Sequence, residues 1–260
     1  MPALLKILWI LNVTLEVFVP FLMVWKKQYR NFPAIFAYLL INLTQAAAIY
    51  VVFRWKGFDS WPAFWTYWIS QAVVVAARWT AVCELCLVIL GQFKGIWALT
   101  WRVLLLAGAG SLLLAIGLGG HDFVKIVTTF DLGLEISMAT VLVVFFSFSR
   151  YYKIDILNPL RSIGTAFCLY SLFRALNDSV LQTQVRKYGT TWNLVDEVTY
   201  FATLILIGGA VYVLRSETSR NVILLPRTVY SELAPQISNR LQLLNARLDQ
   251  ILRSKQAGKA

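Results

Sequence analysis

Apolar positions gather into seven long runs, at about 4–25, 34–53, 63–91, 103–119, 126–148, 162–182 and 195–214, each bounded by charges, Pro or Gly. A helix needs about 20 apolar residues to cross a hydrocarbon core of about 30 Å, and in lipid a segment this long satisfies its backbone only as a helix. The pattern predicts an all-α polytopic membrane protein, with a bundle of about seven transmembrane helices over residues 1–215 and a basic helical tail over 216–260. Pro33, Pro62 and Pro159 stand where helices begin and a missing N–H costs nothing. Pro20 lies inside the first run and is expected to kink it. The third run is the longest and is expected at the centre; the fourth lacks ionisable groups and carries Gly108, Gly110 and Gly117, as a peripheral helix packed through small residues would. Leu15-Glu16 and Leu134-Glu135 occupy similar places, each followed by a basic loop and a Pro. They hint at a parallel three-plus-one-plus-three repeat.

Composition agrees with lipid as the main solvent: 58% of the 260 residues are hydrophobic and 14% charged, against about a quarter charged in soluble domains. Little chain is left for a separate catalytic domain. The net charge of +11 sits at span ends and in the tail, which points to membrane lipid and cytoplasmic retention rather than nucleic acid. Lys26, Lys27, Arg30, Lys94, Arg102, Arg150, Lys153 and Arg161 fall on one side; Lys6, Arg54, Lys56, Lys125, Arg186 and Lys187 fall on the other. The tail adds Arg215, Arg220, Arg227, Arg240, Arg247, Arg253, Lys255 and Lys259 to the first side. The positive-inside rule then places the N-terminus outside and the tail in the cytoplasm of a cell inner (plasma) membrane. Trp25, Trp97 and Trp101 mark the inner boundary, and Trp55, Trp61, Trp65 and Trp192 the outer one. The first run is broken by Glu16 and Pro20 and has no small-residue cleavage site after it, so it reads as a retained helix.

Ionisable groups inside a span are costly and are functional candidates by default. Glu16 lies in the first span, Arg78 and Glu84 in the third, Asp131 and Glu135 in the fifth, and Arg174 and Asp178 in the sixth; Asp196 and Glu197 open the seventh. Asp131 and Glu135 are one helical turn apart, as are Arg174 and Asp178. Spans five, six and seven therefore aim polar stripes, with Asn177 and Tyr200, at similar depth. The expectation is an outward-facing pocket of Asp131, Glu135, Arg174, Asn177, Asp178, Asp196 and Glu197, rich in negative charge and suited to a cation or proton. The same residues could serve as salt bridges that hold the bundle in register. Arg174 is expected to pair with Asp178, Asp131 or Glu135. Arg78 and Glu84, six residues apart, face different ways, and each needs another helix; Asn42 and Gln45 are possible partners for Glu16.

Cys83 and Cys86 have redox-like spacing, but inside an apolar helix they read as small packing residues. His121 is the only histidine and lies between spans, so the sequence offers neither a histidine metal motif nor a catalytic triad. No cofactor, metal site or catalytic residue is indicated. No Lys lies between Val198 and Leu214, which excludes a retinal Schiff base in the last span.

The run Lys26–Asn42, KKQYRNFPAIFAYLLIN, resembles the corresponding region of an uncharacterised group of seven-helix bacterial membrane proteins of acidobacterial type. The resemblance implies a bacterial inner-membrane setting and no particular activity. The first functional reading is a receptor-like or sensory protein, or a membrane component of an assembly. A small transporter, proton-coupled through Glu16, Glu84, Asp131 or Glu135, comes second, and an intramembrane enzyme third. In the tail, Ile237, Leu241, Leu244, Leu248 and Ile251 recur at a coiled-coil spacing. That seam suits a homodimer or partner helix, and the intervening Arg residues suit a lipid surface. The charge asymmetry makes a direct prediction. A cysteine introduced at Asp59 or Lys187 should react with an impermeant thiol reagent on intact cells, whereas one at Ser231 should react only after lysis; the reverse pattern would invert the topology.

Overall fold

The computed structural model describes residues 3–57, 60–91, 94–151 and 156–214, with Pro235, Ser238, Asn239, Gln242 and Leu243 of the tail; the side chains of Ala3, Leu4, Lys6, Lys94, Asp178, Val180 and residues 181–192 lie outside the description. Within it stand α1 Ala3–Trp25, α2 Pro33–Lys56, α3 Trp61–Leu90, α4 Lys94–Gly119, α5 Phe123–Tyr151 and α6 Asn158–Val213. Among the described residues, six stretches are long and apolar enough to cross a membrane: Ile7–Trp25, Pro33–Lys56, Trp61–Leu90, Gly95–Gly119, Phe123–Tyr151 and Asn193–Val213. The expected tail seam of Ile237, Leu241, Leu244, Leu248 and Ile251 lies outside the described residues; the five tail residues named are helical and exposed.

Helical structure runs from Asn158 to Val213 where the apolar pattern predicts two spans. Arg174 nevertheless lies 2.9 Å from Asp196, 22 residues later, Ser162 donates to the Leu206 carbonyl at 3.4 Å, and the rings of Tyr170 and Tyr200 are 5.6 Å apart. A straight helix would hold Arg174 and Asp196 about 33 Å apart at about 1.5 Å per residue. The helix therefore doubles back between them into two antiparallel arms, and the protein is a seven-helix bundle. Its first arm carries Arg161 and Arg174, and is the one arm absent from the six stretches that pass on apolarity.

The helices can be grouped by chain order and packing into two triplets, joined by an extensive α1–α6 interface. α1, α2 and α3 pack as consecutive neighbours, and so do α5 and the two arms of α6. The triplets join where α1 lies along the second arm and where α3 lies along α5. An exchange of α1 with α5, α2 with the first arm and α3 with the second arm would pair the α1–α6 interface with the α3–α5 interface, the first being much the more extensive. α4 stands outside both triplets, packed on α3 and α5. Gly108 there faces the Trp79 ring, and Ser111 sits against Gly133 of α5, while Gly110 and Gly117 face open space. Leu105, Leu106, Leu112, Leu113 and Leu114 point outward, where lipid would cover them. α4 begins at Lys94, well before its apolar run at 103, because Arg102 interrupts hydropathy without interrupting helical hydrogen bonding.

α1 and the second arm run parallel. Asn12 reaches Glu197, Val19 lies over Gly208, and Gln28 donates to the Leu214 carbonyl. The start of α1 and the end of α6 therefore lie at opposite ends of the bundle. Ser60 caps α3 through the Ala63 N–H, and Asp122 caps α5 through the N–H groups of Val124 and Lys125. The chain turns tightly from α4 into α5 just before the Asp122 cap. Gly120 adopts φ +60°, and a Cβ on Gly119 would stand 3.0 Å from the Ile126 backbone nitrogen. Gly119→Ala should therefore destabilise the bundle by about 1–3 kcal/mol, read as a lower unfolding midpoint in detergent, while Gly110→Ala, with open space around it, should leave the midpoint unchanged.

Candidate polar cavity and ion-pair network

The polar residues of the span interiors converge. A partly open cavity of about 170 Å³ is lined by Asn42 and Gln45 of α2, Gln71, Val74 and Arg78 of α3, Tyr170 and Arg174 of the first arm, and Asp196, Glu197 and Tyr200 of the second. It lies where the two triplets face each other.

Two arginines organise its walls. Arg78 is buried and forms a salt bridge with Glu135 of α5, which is fully buried. Its guanidinium lies 4.7 Å from the centre of the Tyr170 ring and 5.8 Å from that of Tyr38, a placement that adds cation–π attraction on both sides. Arg174 bonds Asp196 at 2.9 Å and lies 3.8 Å from Asp131. Asp131 also accepts a 2.9 Å hydrogen bond from Gln71, which accepts one from Gln45. α2, α3, α5 and both arms are thus stitched through one network.

A second polar ladder joins α1 to the second arm. Asn12 donates to the carboxylate and carbonyl of Glu197. One turn along, Glu16 accepts from Tyr200 at 2.7 Å and from Asn42 at 3.3 Å, and Asn42 also bonds Tyr200.

Several expected site residues thus come together, in a different arrangement. Arg174, Asp196 and Glu197 line the cavity, while Asp131 and Glu135 stand behind it as partners of the arginines. Among the expected partners of Arg174, Asp131 is present at 3.8 Å, Asp196 across the hairpin lies closer at 2.9 Å, and Glu135 is taken by Arg78. Asn177 is buried outside the cavity lining. Asp178 falls outside the described side chains. Glu84 turns away from the cavity altogether: its carboxylate accepts from the N–H groups of Ala34 and Ile35 at 3.0 and 2.9 Å. It thereby caps α2, whose own N-cap residue, Phe32, offers no side-chain acceptor.

Asn12, Tyr38 and Gln71 were missed by reading span by span. A signal for Asn12 was present. The stretch Asn12–Glu16 reads NVTLE, and Asp131–Glu135 reads DLGLE, a polar residue one turn before Leu-Glu in each triplet's first helix.

No protein-family model, curated protein or solved structure matches the chain. The resemblance of Lys26–Asn42 to a bacterial group gains no support from them, and the chain stands as a seven-helix, largely membrane-spanning all-α protein.

Removing one partner of a buried ion pair leaves an uncompensated charge, at a cost of about 3–5 kcal/mol, whereas replacing both with apolar groups is often neutral. Arg78→Leu and Glu135→Leu should each lower the unfolding midpoint sharply, and the double variant should recover most of the loss. Additive losses in this double-mutant cycle would count against the pair.

Proposed function

We propose that the protein is a small membrane transporter whose cavity, between α2, α3 and the two arms of α6, holds a small polar solute. The observation that carries this reading is the pair of helix triplets with a polar cavity where they meet. In transporters built from repeats, substrate sites lie at the repeat interface near the bilayer midplane, and one repeat rocks against the other around them. Arg78 and Tyr170 sit well inside their helices, so the cavity reaches that depth. At about 170 Å³ it holds about five waters at about 30 Å³ each, and is smaller than the about 300–1,000 Å³ of a drug-sized site. Its solute is correspondingly small. With the N-terminus outside, as the basic residues indicate, the cavity belongs to the outer half of the membrane and the tail to the cytoplasm.

One observation favours a receptor-like or sensory protein as the second reading. Toward the end where α1 finishes, Leu39, Leu85, Ile89, Leu142 and Phe167 are buried in an apolar layer, and the buried polar residues described at that end, Gln28 and Ser149, do not line the cavity. A transporter must part this layer in another state, and a receptor need not.

Uptake separates the two. Proteoliposomes should accumulate at least one solute from a panel of small amino acids, amines and polyols, and Gln71→Leu or Gln45→Leu should slow that uptake about tenfold, the scale of about 1.4 kcal/mol. Binding of a panel member without accumulation would replace the transporter with the receptor. Neither binding nor uptake would remove the cavity's proposed role.

A further inference from the structure

Another cavity, of about 630 Å³, lies at the corner where α2 hands over to α3, and is nearly four times the size of the polar one. Its α2 wall is Ile49 and Phe53; its α3 wall is Trp61, Phe64, Tyr67 and Trp68. The volume falls within the about 300–1,000 Å³ of ligand sites, and a mostly aromatic lining with few polar groups is their usual make-up. The α3 wall is braced by its own rings: Trp61 stacks on Phe64 at 5.6 Å and 10°, and Tyr67 meets Trp68 edge-on at 5.2 Å. Ser60 closes the corner by donating to the Gly57 carbonyl and accepting from the Ala63 N–H, so its hydroxyl is spent on the turn.

Position narrows the ligand. The walls belong to the last two turns of the apolar stretch Pro33–Lys56 and the first two of Trp61–Leu90, the level at which hydrocarbon gives way to headgroups. Trp61 is 70% exposed, Phe64 37% and Tyr67 38%, so the aromatic wall is open to the bilayer rather than sealed inside the bundle.

Two cations stand at the headgroup end. Ile49, Phe53 and Lys56 recur at spacings of four and three and so share one face of α2. Arg54 follows Phe53, and both Arg54 and Lys56 are exposed. Asp59, in the loop that follows, lies outside the described residues. α2 starts near Leu214, to which Gln28 bonds, and its 24 residues carry Arg54 and Lys56 to the opposite end of the bundle. The basic tail begins after Leu214, so retention of basic residues on the tail's side does not account for this pair.

We propose that the corner binds one anionic phospholipid, its phosphate at Arg54 and Lys56 and an acyl chain against Ile49, Phe53 and the aromatic wall. Charge complementarity selects the headgroup, and the indoles suit the ester region, each being an apolar ring with one polar N–H. The bound lipid would brace the α2–α3 hairpin, whose next turns carry Gln45 and Gln71 of the polar cavity.

The proposal stands apart from the transporter reading, and its test needs no solute. Native mass spectrometry of the purified full-length protein compares phosphatidylglycerol with phosphatidylcholine of the same chains. One phosphatidylglycerol should be retained at concentrations where phosphatidylcholine is lost. Arg54→Gln and Lys56→Gln should each cut that preference about fivefold, the equivalent of about 1 kcal/mol per basic residue at an anionic lipid surface. Ile49→Trp, which fills the cavity and leaves the charges in place, should abolish the one-to-one complex, whereas Leu113→Trp on the exposed face of α4 should not alter it. Equal retention of the two lipids would overturn the proposal, as would an Ile49→Trp protein that binds as before; either means bulk lipid contact only. If Arg54→Gln and Lys56→Gln lower the unfolding midpoint in lipid-free detergent but leave the preference intact, the cations serve the end of the α2 helix alone and the proposal falls. Should the charge variants fail to fold, the native comparison and Ile49→Trp still decide.

Discussion

Charge inside hydrocarbon must find opposite charge or hydrogen bonds, and most of this bundle's geometry can be traced to the way Arg78 does so. A guanidinium at mid-helix costs about 2.5–3.5 kcal/mol on insertion scales even before packing. Arg78 offsets this with Glu135 on α5 and with the faces of Tyr170 and Tyr38. Those three contacts fix α3 against α5, against the first arm of α6 and against α2. The second arginine repeats the solution on a smaller scale, since Arg174 holds the α6 hairpin closed through Asp196 and ties it to α5 through Asp131.

Polar groups elsewhere follow the same constraint with hydrogen bonds in place of ion pairs. Glu84 spends both carboxylate oxygens on the exposed N–H groups that open α2, and Gln28 reaches the carbonyl that closes α6. These are structural uses of residue types that an inspection of the sequence marks as functional. The cavity differs because its groups are only partly spent. Asn42, Gln45, Gln71 and Tyr200 line a space as well as bonding one another.

Sequence alone determined the solvent, the helical class and the starts of the helices that open on a proline. Lipid demands internal backbone hydrogen bonds, and runs of this length and apolarity leave no alternative. Pro33, Pro62 and Pro159 do open α2, α3 and α6. Candidate charges were legible for the same reason, because any ionisable group stands out against an apolar run. Tertiary structure alone decided their partners. Asp196 meets Arg174 only because α6 doubles back, and a periodicity computed along one helix carries no information about the rotation of its neighbour. The same holds for the two triplets. NVTLE and DLGLE are too short to establish a repeat, since packing conserves shape and charge at a contact rather than letters along a chain. Their grouping becomes visible only when α1 is seen against the second arm and α5 against α3.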